Sequence, residues 1–142
     1  MPIIDVDLPE GVIPAARRGQ LANDLGRALL AAEGLPARGP ILASMTVYLH
    51  AVPREDIYTL AGADAPPPVR VRLTTAAGSL DKDAQSQVVR EITRIVAEAA
   101  DDPSLTGRTF VLHSEVAEGG WGARGTAMGR ADFDRLNAAL KQ

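Results

Sequence analysis

The sequence predicts an α+β domain built from two tandem β-α-β units, their strands joined in one four-stranded mixed sheet with two helices on one face. Three observations carry this expectation. Short segments of strict apolar–polar alternation flank two long stretches whose apolar residues recur at helical spacing. The order strand, helix, strand then occurs a second time. Between the two occurrences lies "ADAPPPV", with Pro66, Pro67 and Pro68 in a row, a natural linker at about residues 63–68.

The elements follow in order. "IIDVDL" sets Ile4, Val6 and Leu8 on one face and Asp5 and Asp7 on the other, the pattern of a half-buried strand. From about Pro14 to Glu33, Leu21, Leu25, Ala28, Leu29 and Ala32 fall at helical spacing, and Gly34 and Pro36 end that helix. "SMTVYLH" alternates again, opposing Met45, Val47 and Leu49 to Thr46, Tyr48 and His50. "VRVRLT" opens the second unit, with Val69, Val71 and Leu73 set against Arg70, Arg72 and Thr74. A helix from about Asp81 to Ala100 carries Val88, Ile92, Ile95, Val96 and Ala99, each 67 residues after its counterpart in the first helix. "TFVLHS" closes the unit, and Thr109, Leu112 and His113 repeat Thr46, Leu49 and His50 at a spacing of 63. The recurrence reads as an internal duplication. Repeat 1 covers about 2–60, repeat 2 about 69–130, and 131–142 form a C-terminal tail of a single 142-residue domain.

With both helices on one face, the other sheet face presents Asp5, Asp7, Tyr48, His50, Arg70, Arg72, Thr74 and His113. Such a face, of mixed polarity and with bulky side chains, is expected to meet another subunit in a closed oligomer. The composition narrows the function classes. A net charge of −3 argues against a nucleic-acid partner. No apolar run is long enough to cross a bilayer, and no basic segment followed by an apolar stretch opens the chain. The absence of cysteine removes disulfides and thiol chemistry, and two isolated histidines make no metal site. A cytoplasmic protein without metal or cofactor is the expectation.

The opening "MPIIDVDLPEG" holds the main chemical candidate. Proline has no backbone N–H, and the first residue of a strand is a tolerated place for it. Removal of Met1 would also make Pro2 a free secondary amine anchored by a strand. Burial and nearby cations disfavour an ammonium, so such an amine can serve as a base near neutral pH. With Met1 retained, the same nitrogen is an unreactive amide.

Together, the proline after Met1, the duplicated β-α-β unit, the start "PIIDVDLPEG" and the glycine-rich "EVAEGGWGARG" resemble the tautomerase superfamily. Its members include 4-oxalocrotonate tautomerase, macrophage migration inhibitory factor and malonate semialdehyde decarboxylase. The resemblance runs to about Arg130 and implies a fused two-repeat chain that assembles as a homotrimer, with Pro2 as catalytic base or acid. It also implies an arginine in the turn after the opening strand of a repeat, to pair with a substrate carboxylate. This sequence departs from that pattern, with Val12 in the first turn and Ala76, Ala77 and Gly78 in the second. A substrate less charged than a dicarboxylate is the consequence.

Other candidate substrate-binding residues are Trp121, the sole tryptophan, set among glycines as a pocket wall, and the cations Arg124 and Arg108. Tyr48 could orient a carbonyl. Arg72, with Arg70, either binds substrate or pairs with Asp5 and Asp7 across neighbouring antiparallel strands, and the pairing is the simpler reading. His50 and His113 read as a symmetric structural pair, and Glu33, Arg38, Arg54, Glu55 and Asp56 as solvated charge. The function expected is keto–enol tautomerisation of a small carbonyl compound with Pro2 as general base. The alternatives are a proline-dependent decarboxylase or hydratase, or a non-catalytic trimeric module of the same fold.

Overall fold

A computed structural model describes residues 2–142. The strands β1 (Ile3–Pro9), β2 (Thr46–Val52), β3 (Val69–Ala76) and β4 (Thr109–Val116) form one mixed sheet in the order β2-β1-β3-β4. Helix α1 (Ala15–Ala32) connects β1 to its parallel neighbour β2, and α2 (Lys82–Ala100) connects β3 to its parallel neighbour β4. The two units meet through β1 and β3, which run antiparallel with Val6 opposite Val71. About that pseudo-two-fold, positions of β1 and β3 correspond at a spacing of 67 residues, since the turn bonds Val12 N–H to Pro9 O and Ser79 N–H to Ala76 O repeat at it, as do Gly11 and Gly78 at positive φ, so Val69 stands where Pro2 stands in the first unit.

Alternation in the strands builds the core. Ile4, Val6, Leu8, Val69, Val71 and Leu73 are fully or almost fully buried beneath Leu21, Leu25 and Leu29 of α1 and Val88, Ile92 and Val96 of α2. Asp81 caps α2 by accepting the Ala84 N–H at 2.8 Å, and α1 ends at Glu33 with Gly34 at φ +66°. Among the described residues no helix is long and apolar enough to cross a membrane.

Two sequence expectations need correction. Residues 131–142 are not a tail, because Arg130–Lys141 forms a third helix, α3, preceded by a hairpin of β5 (Trp121–Ala123) and β6 (Thr126–Met128). Leu140 of α3 packs with Leu30, Leu35 and Ile41, closing a second small core beside the main one. The histidines are also not equivalent. The ladder sets Asp7 beside His50 but Leu73 beside His113, so His50 lies on the open face and His113 on the helix-covered face. The spacing of 67 in β1 and β3 becomes 64 in β2 and β4, where Val47 corresponds to Val111 and Leu49 to His113. A one-residue error in register moves a side chain to the opposite face.

The open face therefore carries Asp5, Asp7, Tyr48, His50, Arg70, Arg72 and Thr74, joined by Phe110 and Leu112 from β4. Tyr48, Phe110 and Leu112 are 51%, 57% and 49% exposed, a concentration of bare apolar surface on a face that no helix covers.

Candidate active site

Pro2 immediately precedes β1 and is buried. It belongs to the even-numbered series that faces the helices, and the β1–β3 register, continued by one residue past Ile3 and Thr74, sets it beside Thr75. Thr75 is itself completely buried, and its hydroxyl is 2.8 Å from His113 Nε2. A polar pair thus lies on the helix side of the sheet at the very end where the chain starts. A hydroxyl inside an apolar layer is costly without a partner, and His113 provides it.

Because β1 opposes β3, the start of β1 lies at the end of β3. The turn that leaves β3, Ala77–Ser79, belongs to this end of the sheet, as does the exit of β4 into the hairpin. Gly78 adopts φ +75°, a left-handed conformation suited to glycine, and its N–H donates to Glu115 Oε1 at 2.9 Å. Glu33 is not the solvated charge expected of its loop position. Burial pushes its carboxyl up to about 7.

The second turn lacks a cation of its own, yet one lies over it. A Cβ placed on Gly78 would meet Arg130 Nη1 at 3.5 Å. Arg130 opens α3, its backbone N–H donates to Glu118 Oε1 at 3.2 Å, and its guanidinium is a loose 4.0 Å from Asp134. With Ser79, Val116 and Phe133 it lines a cavity of about 130 Å³ above the turn. The first turn has cations beside it too: Arg54 Nε donates to the Glu10 carbonyl at 3.2 Å and Arg18 Nε to the Ile13 carbonyl at 3.4 Å, while Val12 packs against the main core.

The fold distributes the sequence-derived binding residues over three places. Trp121 is nearly buried and meets Phe133 of α3 edge to face, ring centroids 6.1 Å apart. Arg124 forms the hairpin tip with Gly125, both at positive φ (53° and 75°), and lines a groove of about 500 Å³ with Ile41, Met128, Phe133 and Leu140. Tyr48 and Arg72 lie across the sheet from Pro2, on the open face. There Tyr48 stacks on His50 at 6.3 Å, His50 bonds Asp5 at 2.8 Å, and Asp7 holds Arg70 at 2.7 Å with Arg72 at 3.7 Å. The pairing of aspartates with arginines thus holds for Asp7, whereas Asp5 takes His50.

Arg108 lies elsewhere again. It precedes β4, at the opposite end of the sheet from Pro2, and an eight-residue strand separates the two ends by about 25 Å. Its guanidinium binds the Pro67 carbonyl at 2.6 Å, Asp102 at 2.6 Å and Ser104 at 3.1 Å, fastening the linker to the turn before β4. Within one chain it does not join the Pro2 site.

No family model matches the sequence, and no curated protein matches it. Solved structures do. A native fused 4-OT superposes with a TM-score of 0.74 at 22% identity, covering 99% of both chains. The fold is that of the tautomerase superfamily. Within this tautomerase fold, Pt0534 inactivated by 2-oxo-3-pentynoate gives a TM-score of 0.76 at 18% identity over 91% of this chain and 97% of its own. A Q0 fused 4-OT, a symmetric trimer, gives 0.75 at 15% identity over 92% and 98%. Three features of the tautomerase-fold end described above escaped sequence reasoning: Glu33, the Thr75–His113 pair and Arg130. The only sequence signal for the last was the helical spacing of Phe133, Leu136 and Leu140 in α3.

Proposed function

We propose that this chain is a keto–enol tautomerase for a small carbonyl compound, working as a homotrimer with the Pro2 amine as general base once Met1 has been removed. The observation that carries the reading is the burial of Pro2 at a sheet end that also gathers Glu33, Ser79, the Thr75–His113 pair and Arg130. Water exclusion around an amine favours its neutral form, which is the form that removes a proton next to a carbonyl. The likeness to fused tautomerase structures across the whole chain supports the same reading.

Arg130 is the cation available to a substrate carboxylate, in place of the missing turn arginines. One cation over one turn suits a monocarboxylate such as a phenylpyruvate-type or 2-hydroxydienoate enol better than a dicarboxylate. Trp121 and Arg124 shape the hairpin side of the pocket in this proposal. Tyr48 and Arg72, on the face where subunits meet, would act on a neighbouring subunit's site. Val12, at the place where the resemblance implies arginine, favours a second reading, a trimeric binding module that keeps the fold without the chemistry.

Ketonisation of phenylenolpyruvate, followed by absorbance, separates the two. Protein shown by mass spectrometry to begin at Pro2 should accelerate the reaction, and the Met1-retaining form should lose about 10²–10⁴-fold. Pro2→Ala keeps a primary amine at the same place and should retain part of the rate. Equal activity with and without Met1 would remove Pro2 from the mechanism, and no activity in either form would favour the binding module.

A further inference from the structure

The two units fill one pair of corresponding places in opposite ways. At the spacings of 67 and 64 that relate them, Thr75 corresponds to Leu8 and His113 to Leu49. Leu8 is 3% exposed and Leu49 packs against the main core, so the first unit closes these places with apolar contact. The second unit sets a completely buried hydroxyl there, 2.8 Å from an imidazole nitrogen. A polar pair in an apolar layer is costlier to bury than two leucines. The strand starts beside these places differ in the same sense. The β1–β3 register, continued by one residue at either end, sets Leu8 beside Val69 and Thr75 beside Pro2. The Val69 N–H already donates to the Arg108 carbonyl at 3.0 Å. The Pro2 nitrogen gains an N–H only when Met1 is removed, and that N–H then needs an acceptor. The polar pair stands at the strand start that can carry an amine, and the apolar pair at the one that cannot.

We propose that Thr75, held by His113, is the positioning residue of the Pro2 amine, its hydroxyl oxygen accepting the amine N–H. This rests on the tautomerase reading for its effect on turnover, and on register, burial and the Thr75–His113 bond for the contact. Directly opposed residues of antiparallel strands hold their Cβ atoms about 4.5–5.5 Å apart. Pro2 and Thr75 both face the helices, so the hydroxyl lies alongside the proline ring. His113 Nε2 takes the hydroxyl proton, which leaves the oxygen lone pairs for the nitrogen. A neutral secondary amine has one N–H and one lone pair. With the N–H held by Thr75, the lone pair keeps one direction, and a substrate proton is received along it. Neither Thr75 nor His113 gains or loses a proton in the step. The bond is stronger to the ammonium than to the neutral amine, so it raises the amine pKa against the burial that lowers it. Of the charged groups at this end of the sheet, Glu115 accepts the Gly78 N–H, Glu118 the Arg130 N–H and Asp81 the Ala84 N–H. Arg130 approaches Asp134, and Glu33 closes α1.

The test uses protein shown to begin at Pro2, carrying Thr75→Val, Thr75→Ser, or Thr75→Leu with His113→Leu. The double change copies the first unit's residues into both places, and thermal melts confirm folding. Titration of the Pro2 nitrogen by ¹⁵N NMR is the readout independent of turnover. Thr75→Val and the double variant should each lower the amine pKa by about one, and Thr75→Ser should return it to the wild-type value. In the ketonisation assay, Thr75→Val should lose about tenfold in kcat with KM little changed, because the lone pair is no longer held in one direction. The rising limb of its rate against pH should move to lower pH together with the amine. A pair that serves packing alone would change the melting temperature and leave the titration where it was. An unchanged Pro2 titration in both the folded Thr75→Val protein and the double variant overturns the contact. Unchanged kcat and pH profile in an active Thr75→Val enzyme overturn the positioning role. A wild type without ketonisation activity would instead overturn the tautomerase reading, leaving the Pro2 titration to decide the contact.

Discussion

A carboxyl at the end of α1 is normally free to turn into water, but Glu33 is partly buried and its charged form is disfavoured. The energetic sign follows from its raised pKa. The folded state holds the Glu33 proton up to about 7, whereas the unfolded chain releases it near 4.5. Between those values the native state binds more protons, so stability falls as pH rises through that window and levels off above it. Glu33→Gln should flatten this decline and melt higher than the wild type above pH 7. A gain on the order of 1–2 kcal/mol is expected, smaller than the full shift would give because the carboxyl keeps some water. Identical melting curves for both proteins from pH 4 to 8 would show that Glu33 is solvated after all. On the other side of the sheet, Asp7 shows how residue spacing was readable in advance. An aspartate opposite an arginine on neighbouring antiparallel strands is visible once the strands are paired, and Arg70 indeed closes on it at 2.7 Å. The choice of His50 by Asp5 is a diagonal contact between parallel strands, which alternation cannot distinguish.

At the scale of elements, the hairpin is held by α3 rather than left to form a wall alone. Trp121 on β5 meets Phe133 on α3 edge to face, and the Gly129 N–H donates to Asp132 Oδ2 at 2.9 Å to start the helix. Phe133→Ala should therefore loosen both elements together, costing about 2 kcal/mol in denaturant unfolding and shifting the Trp121 fluorescence towards that of a wetter indole. Unchanged Trp121 emission would mean that α3 does not pack on the hairpin in solution. The four strands, α1 and α2 were legible because each has strong periodicity and ends at glycine, proline or a capping aspartate. The third helix was not, because its start lacks a capping side chain at Gly129 and its apolar residues are only Phe133, Leu136 and Leu140 among many charges. The face of His113 was misjudged for a sharper reason: the two units differ by three residues between first and second strands, and parity tolerates no such shift. Of the candidate site, Pro2 was proposed from its place in the chain, while Glu33, Thr75 and Arg130 gain their meaning only from elements distant in sequence.

For the whole molecule, the helix-free face is where the proposed trimer would join its subunits. Tyr48, Phe110 and Leu112 are half bare on it, and Tyr58 and Leu60 in the connection between units are more exposed still, at 88% and 110%. Sedimentation at micromolar concentration should give a trimer for the wild type, and Phe110→Asp should shift it to monomer by placing a charge in the buried contact. A wild-type monomer at every concentration, or an unperturbed trimer in Phe110→Asp, would move the interface off this face. The duplication also leaves two corresponding strand starts, Pro2 in one and Val69 in the other. Val69 is locked in the middle of the chain, its nitrogen acylated by Pro68 and its N–H donated to the Arg108 carbonyl at 3.0 Å. Joining two units end to end thus leaves one of two corresponding strand starts per chain with a nitrogen that removal of Met1 would free, so the proposed trimer would carry three such amines among six strand starts.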